Sequence, residues 1–111
     1  MKSWIPDRGE AVWIDMDPQA GHEQRGRRPA LVLSPAAYNC KVGLLLACPI
    51  TSEAKGYPFE VPLPDGLKVA GVVLSDQVRS LNWRVRRASC ICLLPEEIVA
   101  AVLERLNTLL A

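Results

Sequence analysis

Pro95-Glu96-Glu97-Ile98-Val99-Ala100-Ala101-Val102-Leu103-Glu104-Arg105-Leu106-Asn107-Thr108-Leu109-Leu110-Ala111 is the stretch in which the hydrophobic period of this chain changes. Apolar side chains recur at Ile98, Val99, Val102, Leu103, Leu106, Leu109 and Leu110, one stripe of an α-helix. Pro95 suits the first helical position, and Glu96 and Glu97 suit the positive end of the macrodipole. A helix over about 95–110 follows.

Upstream the period is that of strands. Ala11-Val12-Trp13-Ile14-Asp15 reads as a first strand after the turn Asp7-Arg8-Gly9. Pro29 to Ser34 is a continuous apolar run of strand length, which implies burial on both faces, and Leu44 to Ile50 is another. Between them, Ser34-Pro35-Ala36-Ala37-Tyr38 reads as a single helical turn with Ser34 as its cap and Pro35 in first position. Phe59-Glu60-Val61 alternates in the half-buried manner, Gly71 to Leu74 looks central, and Leu81 to Ile91 reads as one strand exposed on one side. Many short strands closed by one amphipathic helix give a mainly β fold, a small, strongly bent antiparallel barrel with a C-terminal helix. A parallel α/β arrangement lacks the crossover helices it needs. With 111 residues, half of them hydrophobic, the chain is expected to form one domain over 1–111.

Formal charge is only +1, so bulk charge points to no partner, yet its distribution is uneven. Arg25, Arg27 and Arg28 cluster in one window, and Arg79, Arg84, Arg86 and Arg87 in another. Local basic patches are a footprint for polyanions. No stretch has the length of a membrane helix and the N-terminus lacks an apolar export core, so a cytoplasmic chain without a membrane partner is expected. Cys40, Cys48, Cys90 and Cys92 are then thiols, and the spacing of Cys90 and Cys92, with no second pair, favours small buried thiols over a zinc site.

The segment Met16 to Arg28 is a polar loop opened by Asp17-Pro18. It gathers His22, Glu23, Gln24, Arg25 and Arg28 between two apolar strands, where binding and catalytic groups collect. Guanidinium with a nearby carboxylate suits a phosphodiester: the fork pairs with non-bridging oxygens and the carboxylate takes a proton. One histidine and scattered carboxylates do not make a ligand set, so no metal and no cofactor is expected.

Collinear motifs extend this reading. They are Pro6-Asp7-x-Gly9, Val12-Trp13-x-Asp15-x-Asp17-Pro18, Gly21-x-Glu23-Gln24, Arg28-Pro29-Ala30-x-Val32-Leu33-Ser34-Pro35, Pro49-x-Thr51, Lys55-Gly56-Tyr57-Pro58-Phe59, Asp76-Gln77-Val78 and Pro95-Glu96-Glu97. By these the chain resembles the MazF/PemK toxins of bacterial toxin–antitoxin pairs, from Pro6 nearly to the C-terminus. The resemblance implies an SH3-like barrel of the MazF/PemK/CcdB type and a homodimer. It further implies sequence-specific, metal-independent cleavage of single-stranded RNA, and a cognate antitoxin with a flexible acidic C-terminal tail.

The resemblance also assigns roles. Arg28 matches the family's catalytic arginine and Thr51 its catalytic threonine. The residues themselves, not the resemblance, favour Glu23 as general base or as a partner that orients Arg28, because an arginine that stays protonated makes a poor base. Asp76 matches a catalytic aspartate of the PemK branch, but that branch carries an arginine two positions earlier where this chain has Leu74. Asp76 is therefore placed among the RNA contacts with His22, Gln24, Arg25, Ser52, Lys55, Tyr57, Gln77, Arg84 and Arg86. Of the rings, Tyr57 and Trp83 are the expected exposed platforms for bases, and Trp13 is expected in the core or a dimer contact. Two other outcomes stay open: a gyrase-targeting poison of the same fold, or an RNA-binding module that has lost cleavage. The poison relies on a Trp-Gly-Ile ending, where this chain has Leu109-Leu110-Ala111.

Overall fold

A computed structural model describes residues 4–16 and 26–111. The order is β1 (Glu10–Asp15), β2 (Arg27–Val32), α1 (Ala36–Val42), β3 (Leu44–Thr51), β4 (Glu60–Pro62), β5 (Val72–Leu74), β6 (Arg79–Asn82), β7 (Ser89–Leu93) and α2 (Glu96–Leu110). All strand pairs are antiparallel, in the order β4-β5-β3-β2-β1-β7, with β6 joined to β3. β3 is the hub. One edge pairs with β2, while the other is shared by β6 over Leu44–Ala47 and β5 at Ile50–Thr51. The sheet is not closed by a last pair among the described residues, so the expected barrel is an open, barrel-like one.

Burial on both faces of β2 is what its apolar run implied, and Ala30, Leu31, Val32 and Leu33 are almost inaccessible. Alternate residues feed two cores. Ala11, Leu31, Cys48, Ile50, Val61 and Val73 meet Ile98 and Val102 of α2 on one face. Val12, Ile14, Val32, Leu45, Leu81 and Trp83 form the other. Fully burying a side chain of this size contributes about 1.5–3 kcal/mol. On α2 the stripe outlasts the core, because Leu109 and Leu110 near its end are exposed.

Several expectations are corrected. The loop stops at Gly26: Asp15 pairs with Arg27 and Ile14 with Arg28, so both arginines belong to a strand. Ser34 does not cap α1. Its hydroxyl donates to Asn39 Oδ1 and accepts the Leu46 N–H, Pro35 takes the cap position, and the helix runs seven residues. Pro95 likewise precedes α2 as its cap. The single strand over Leu81–Ile91 is two strands with a turn between them, because Asn82 accepts the Val85 N–H on its side chain and the Arg86 N–H on its carbonyl. Of the cysteines only Cys48 is buried; Cys40 and Cys90 are exposed. Glu60, expected on the solvent side of its strand, is buried by the backbone donors it accepts.

Candidate active site

Strand register sets the site. The β2–β3 ladder ends with Ala30 paired to Pro49, and two residues beyond it on each strand stand Arg28, near the start of β2, and Thr51, at the end of β3. Both line one cavity of about 380 Å³, with Arg27, Pro29, Ser52 and Glu53 around them. Thr51 Oγ1 accepts the Glu53 N–H at 3.1 Å, which uses a lone pair and leaves its O–H to donate. Gly71 backs the threonine: its φ is +121°, and a Cβ there would run into the Thr51 carbonyl.

A second cavity, of about 160 Å³, shares Thr51 and Glu53 with the first and continues the groove past Lys55, Tyr57, Glu60 and Gln77. Leu74 is part of its wall. Tyr57 donates its hydroxyl to Asp76 Oδ1 at 2.8 Å, and that bond to a carboxylate pushes the phenol above its usual range. The two ends of the groove differ in charge: Arg27 and Arg28 at one and Lys55 with Glu60 at the other, with Glu53 shared between them.

The structure thus gathers Arg28, Thr51, Ser52, Lys55, Tyr57 and Gln77 along one groove, with Asp76 hydrogen-bonded at its rim. Arg84 and Arg86 line neither cavity. The Arg84 guanidinium lies 4.2 Å over the Trp83 ring. Arg86 donates to the carbonyls of Asp15 (3.0 Å) and Met16 (3.1 Å), at the root of the loop. Trp83 is buried, with its indole N–H on the Asn39 carbonyl, so it offers no platform to a base. Trp13 is 42% exposed and lies outside both cores. His22, Glu23, Gln24 and Arg25 lie outside the described residues. Among the described residues no group of three or more His, Cys, Asp or Glu could hold a metal ion.

An acidic centre at the loop's base is absent from the sequence-based expectations. Asp15 Oδ1 meets Arg27 at 3.3 Å and its Oδ2 meets Arg87 at 2.9 Å. The Arg87 hydrogen bond holds the Asp15 carboxyl below the usual carboxylate range, Arg27 adds to this, and partial burial opposes it. Arg27 donates also to Ser89 Oγ at 2.9 Å. The only hint in the sequence is the excess of arginines in two windows.

Comparisons with known proteins bear on the family and the fold. The family model described as PemK-like, MazF-like toxin of type II toxin–antitoxin system matches residues 7–110. The chain is 45% identical over 107 residues to the endoribonuclease toxin MazF of Escherichia coli K12, covering 96% of each chain. It is similar to the crystal structure of MazF from Deinococcus radiodurans, with a TM-score of 0.89 and 59% identity over 97% of this chain and 98% of that one. A MazE–MazF crystal structure from the same organism matches with a TM-score of 0.88 and 53% identity over 97% of both chains. With matched motifs, shared fold and near full-length identity, the chain belongs to the PemK-like, MazF-like toxins of type II toxin–antitoxin systems.

Proposed function

We propose that this chain is a sequence-specific endoribonuclease toxin that cuts single-stranded RNA and is neutralised by a cognate antitoxin. The observation that carries the reading is Arg28 and Thr51 lining one cavity in a chain of this family. RNA supplies its own nucleophile. The 2′-hydroxyl attacks the adjacent phosphorus, the 5′-oxygen leaves, and the products are a 2′,3′-cyclic phosphate and a 5′-hydroxyl. Arg28 clamps the non-bridging oxygens and donates toward the leaving oxygen, while the Thr51 O–H stabilises the charge building on phosphorus. Donors fixed in advance where charge develops commonly supply most of an enzyme's rate enhancement. Glu23 takes the 2′-proton or orients Arg28. Ser52, Lys55, Tyr57, Asp76 and Gln77 hold the strand along the groove, joined by His22, Gln24 and Arg25 from the loop.

The working unit is a homodimer in the cytoplasm. Trp13, Leu93, Leu109 and Leu110 are exposed apolar groups that a second copy would cover. No helix among the described residues is long and apolar enough to cross a membrane. The antitoxin contributes an acidic, extended tail that orders as it binds the basic end of the groove. Purified protein incubated with a long RNA in excess EDTA, followed by mapping of 5′ ends, tests the activity. Cuts at a recurring short motif, bearing 5′-hydroxyls and lost in Arg28→Ala, are expected. Intact RNA would overturn the reading, and intact RNA with stalled gyrase would favour the poison.

A further inference from the structure

The β3–β4 loop carries Glu53, Lys55 and Tyr57 along the second cavity, and it is built around one side chain that the chemistry does not use. Glu60, the first residue of β4, is 9% exposed. Its Oε2 accepts the Lys55 N–H at 2.8 Å and its Oε1 accepts the Gly56 N–H at 2.9 Å, while its own N–H donates to the Tyr57 carbonyl at 3.1 Å. Both carboxylate oxygens are therefore bonded to consecutive backbone amides of an exposed loop. Gly56 stands at φ +83°, a left-handed turn that the two bonds fix. Charge-assisted bonds to an ionised acceptor are the strong ones, and here the accepting side chain is buried.

We infer that Glu60 is a specificity-positioning residue: it presets the Lys55–Tyr57 wall so that the second cavity receives one base beside the cleaved bond. This rests on the RNA-cutting reading. The cavity adjoins Thr51, so its occupant is a neighbour of the scissile phosphate. Two glutamates and one lysine among its lining residues make it a poor place for a second phosphate, and its small volume suits a base. Tyr57 supplies a ring whose orientation is set by the bond to Asp76, and Gln77 supplies an edge that can donate and accept. A wall already in place adds no ordering cost when RNA binds, so loosening it acts on binding and on base choice, leaving the phosphate chemistry at Arg28 alone.

The test is Glu60→Gln in the full chain. An amide keeps the shape but presents its NH2 group to one of the two backbone donors. Steady-state cleavage of a short RNA carrying the mapped motif should show KM raised on the order of tenfold with kcat little changed. Mapped ends should show loss of discrimination at a single position next to the cut, with the rest of the motif kept. Gly56→Ala strains the same turn where a Cβ meets nothing within 4 Å, and it serves if Glu60→Gln does not fold. It should shift the same position. A fall in kcat alone, equal loss at every motif position, or an unchanged motif with normal KM would each overturn the inference. No cleavage by the unaltered chain would instead sink the endoribonuclease reading.

Discussion

Arg28 and Thr51 lie two residues beyond the Ala30–Pro49 pair, the last of the β2–β3 ladder, on neighbouring antiparallel strands, and line the same cavity. Neither sits in a core, so both can be changed without unfolding the chain. Arg28→Ala should lower kcat about 10²–10³-fold, the cost of removing one fixed donor from a developing oxyanion. Thr51→Val should cost less, on the order of tenfold. Because both act on one phosphate, the double variant should lose less than the product of the two factors. Single-turnover cleavage with matched circular dichroism spectra checks this. Fully multiplicative losses would mean that the two groups serve separate steps.

Gly71 protects that alignment from behind. An alanine methyl there would press on the Thr51 carbonyl, and the positive φ adds strain of its own. Gly71→Ala should destabilise by about 1–3 kcal/mol, as overpacking does. It should also slow cleavage, since a misplacement near 1 Å can cost about 10²-fold. Gly66→Ala is the control, with φ +92° and nothing within 4 Å of the added Cβ. Thermal melts and rates measured side by side should show lost stability in both and lost activity only at Gly71.

How far this fold is legible in the sequence depends on whether the local signal agrees with the tertiary one. The apolar run in β2 and the stripe on α2 are legible because burial imposes periodicity on sequence: Ala30 to Leu33 are buried, and on α2 Ile98 and Val102 are buried with Val99, Leu103 and Leu106 packed against the same core. The turn over Trp83–Arg87 is not legible. It has no glycine or proline, and Arg87 takes φ 55°, where Asp15 from a distant strand holds it. Glu60 defeats the alternation rule because a period assigns a face without knowing that two loop amides will come to meet the carboxylate. The groove itself is legible only in part. Arg28 and Thr51 stand out through motif resemblance, while the Asp15 centre depends on Arg87, 72 residues away, and on Arg27, which reaches Ser89 62 residues away.

That centre makes a pH-dependent contribution. The folded pKa of Asp15 is depressed, chiefly by the Arg87 hydrogen bond. Its stabilisation is therefore present above the unfolded carboxylate pKa and lost as pH falls through the folded one. Asp15→Asn should be less stable than the parent near pH 7, by about 1 kcal/mol or less for a partly exposed pair. The gap should close on acidifying from about pH 5 toward pH 2. Thermal unfolding across that range checks it; a constant gap would show that Asp15 acts through packing alone.

Cys48 is expected to be the silent thiol of the chain. It is inaccessible in β3 and its Sγ donates to the Ser75 carbonyl at 3.8 Å. Burial first, and then the Asp76 charge, push its pKa up to about 12, so the nucleophilic thiolate is scarce at pH 8. Native protein treated with iodoacetamide at pH 8 should be alkylated at Cys40 and, more slowly, at Cys90, whose own pKa is raised chiefly by burial. Cys48 should react only after unfolding, as peptide mass spectrometry will show. The same shift sets an alkaline limit. An unfolded chain ionises this thiol near its ordinary value of 9.0, while the folded chain holds the proton to about 12, so stability falls as pH rises through that window. Cys48→Val removes the ionisation and should flatten the decline above pH 9. Equal slopes, or alkylation of native Cys48 at the rate of Cys40, would mean that the strand opens far more readily than its burial implies.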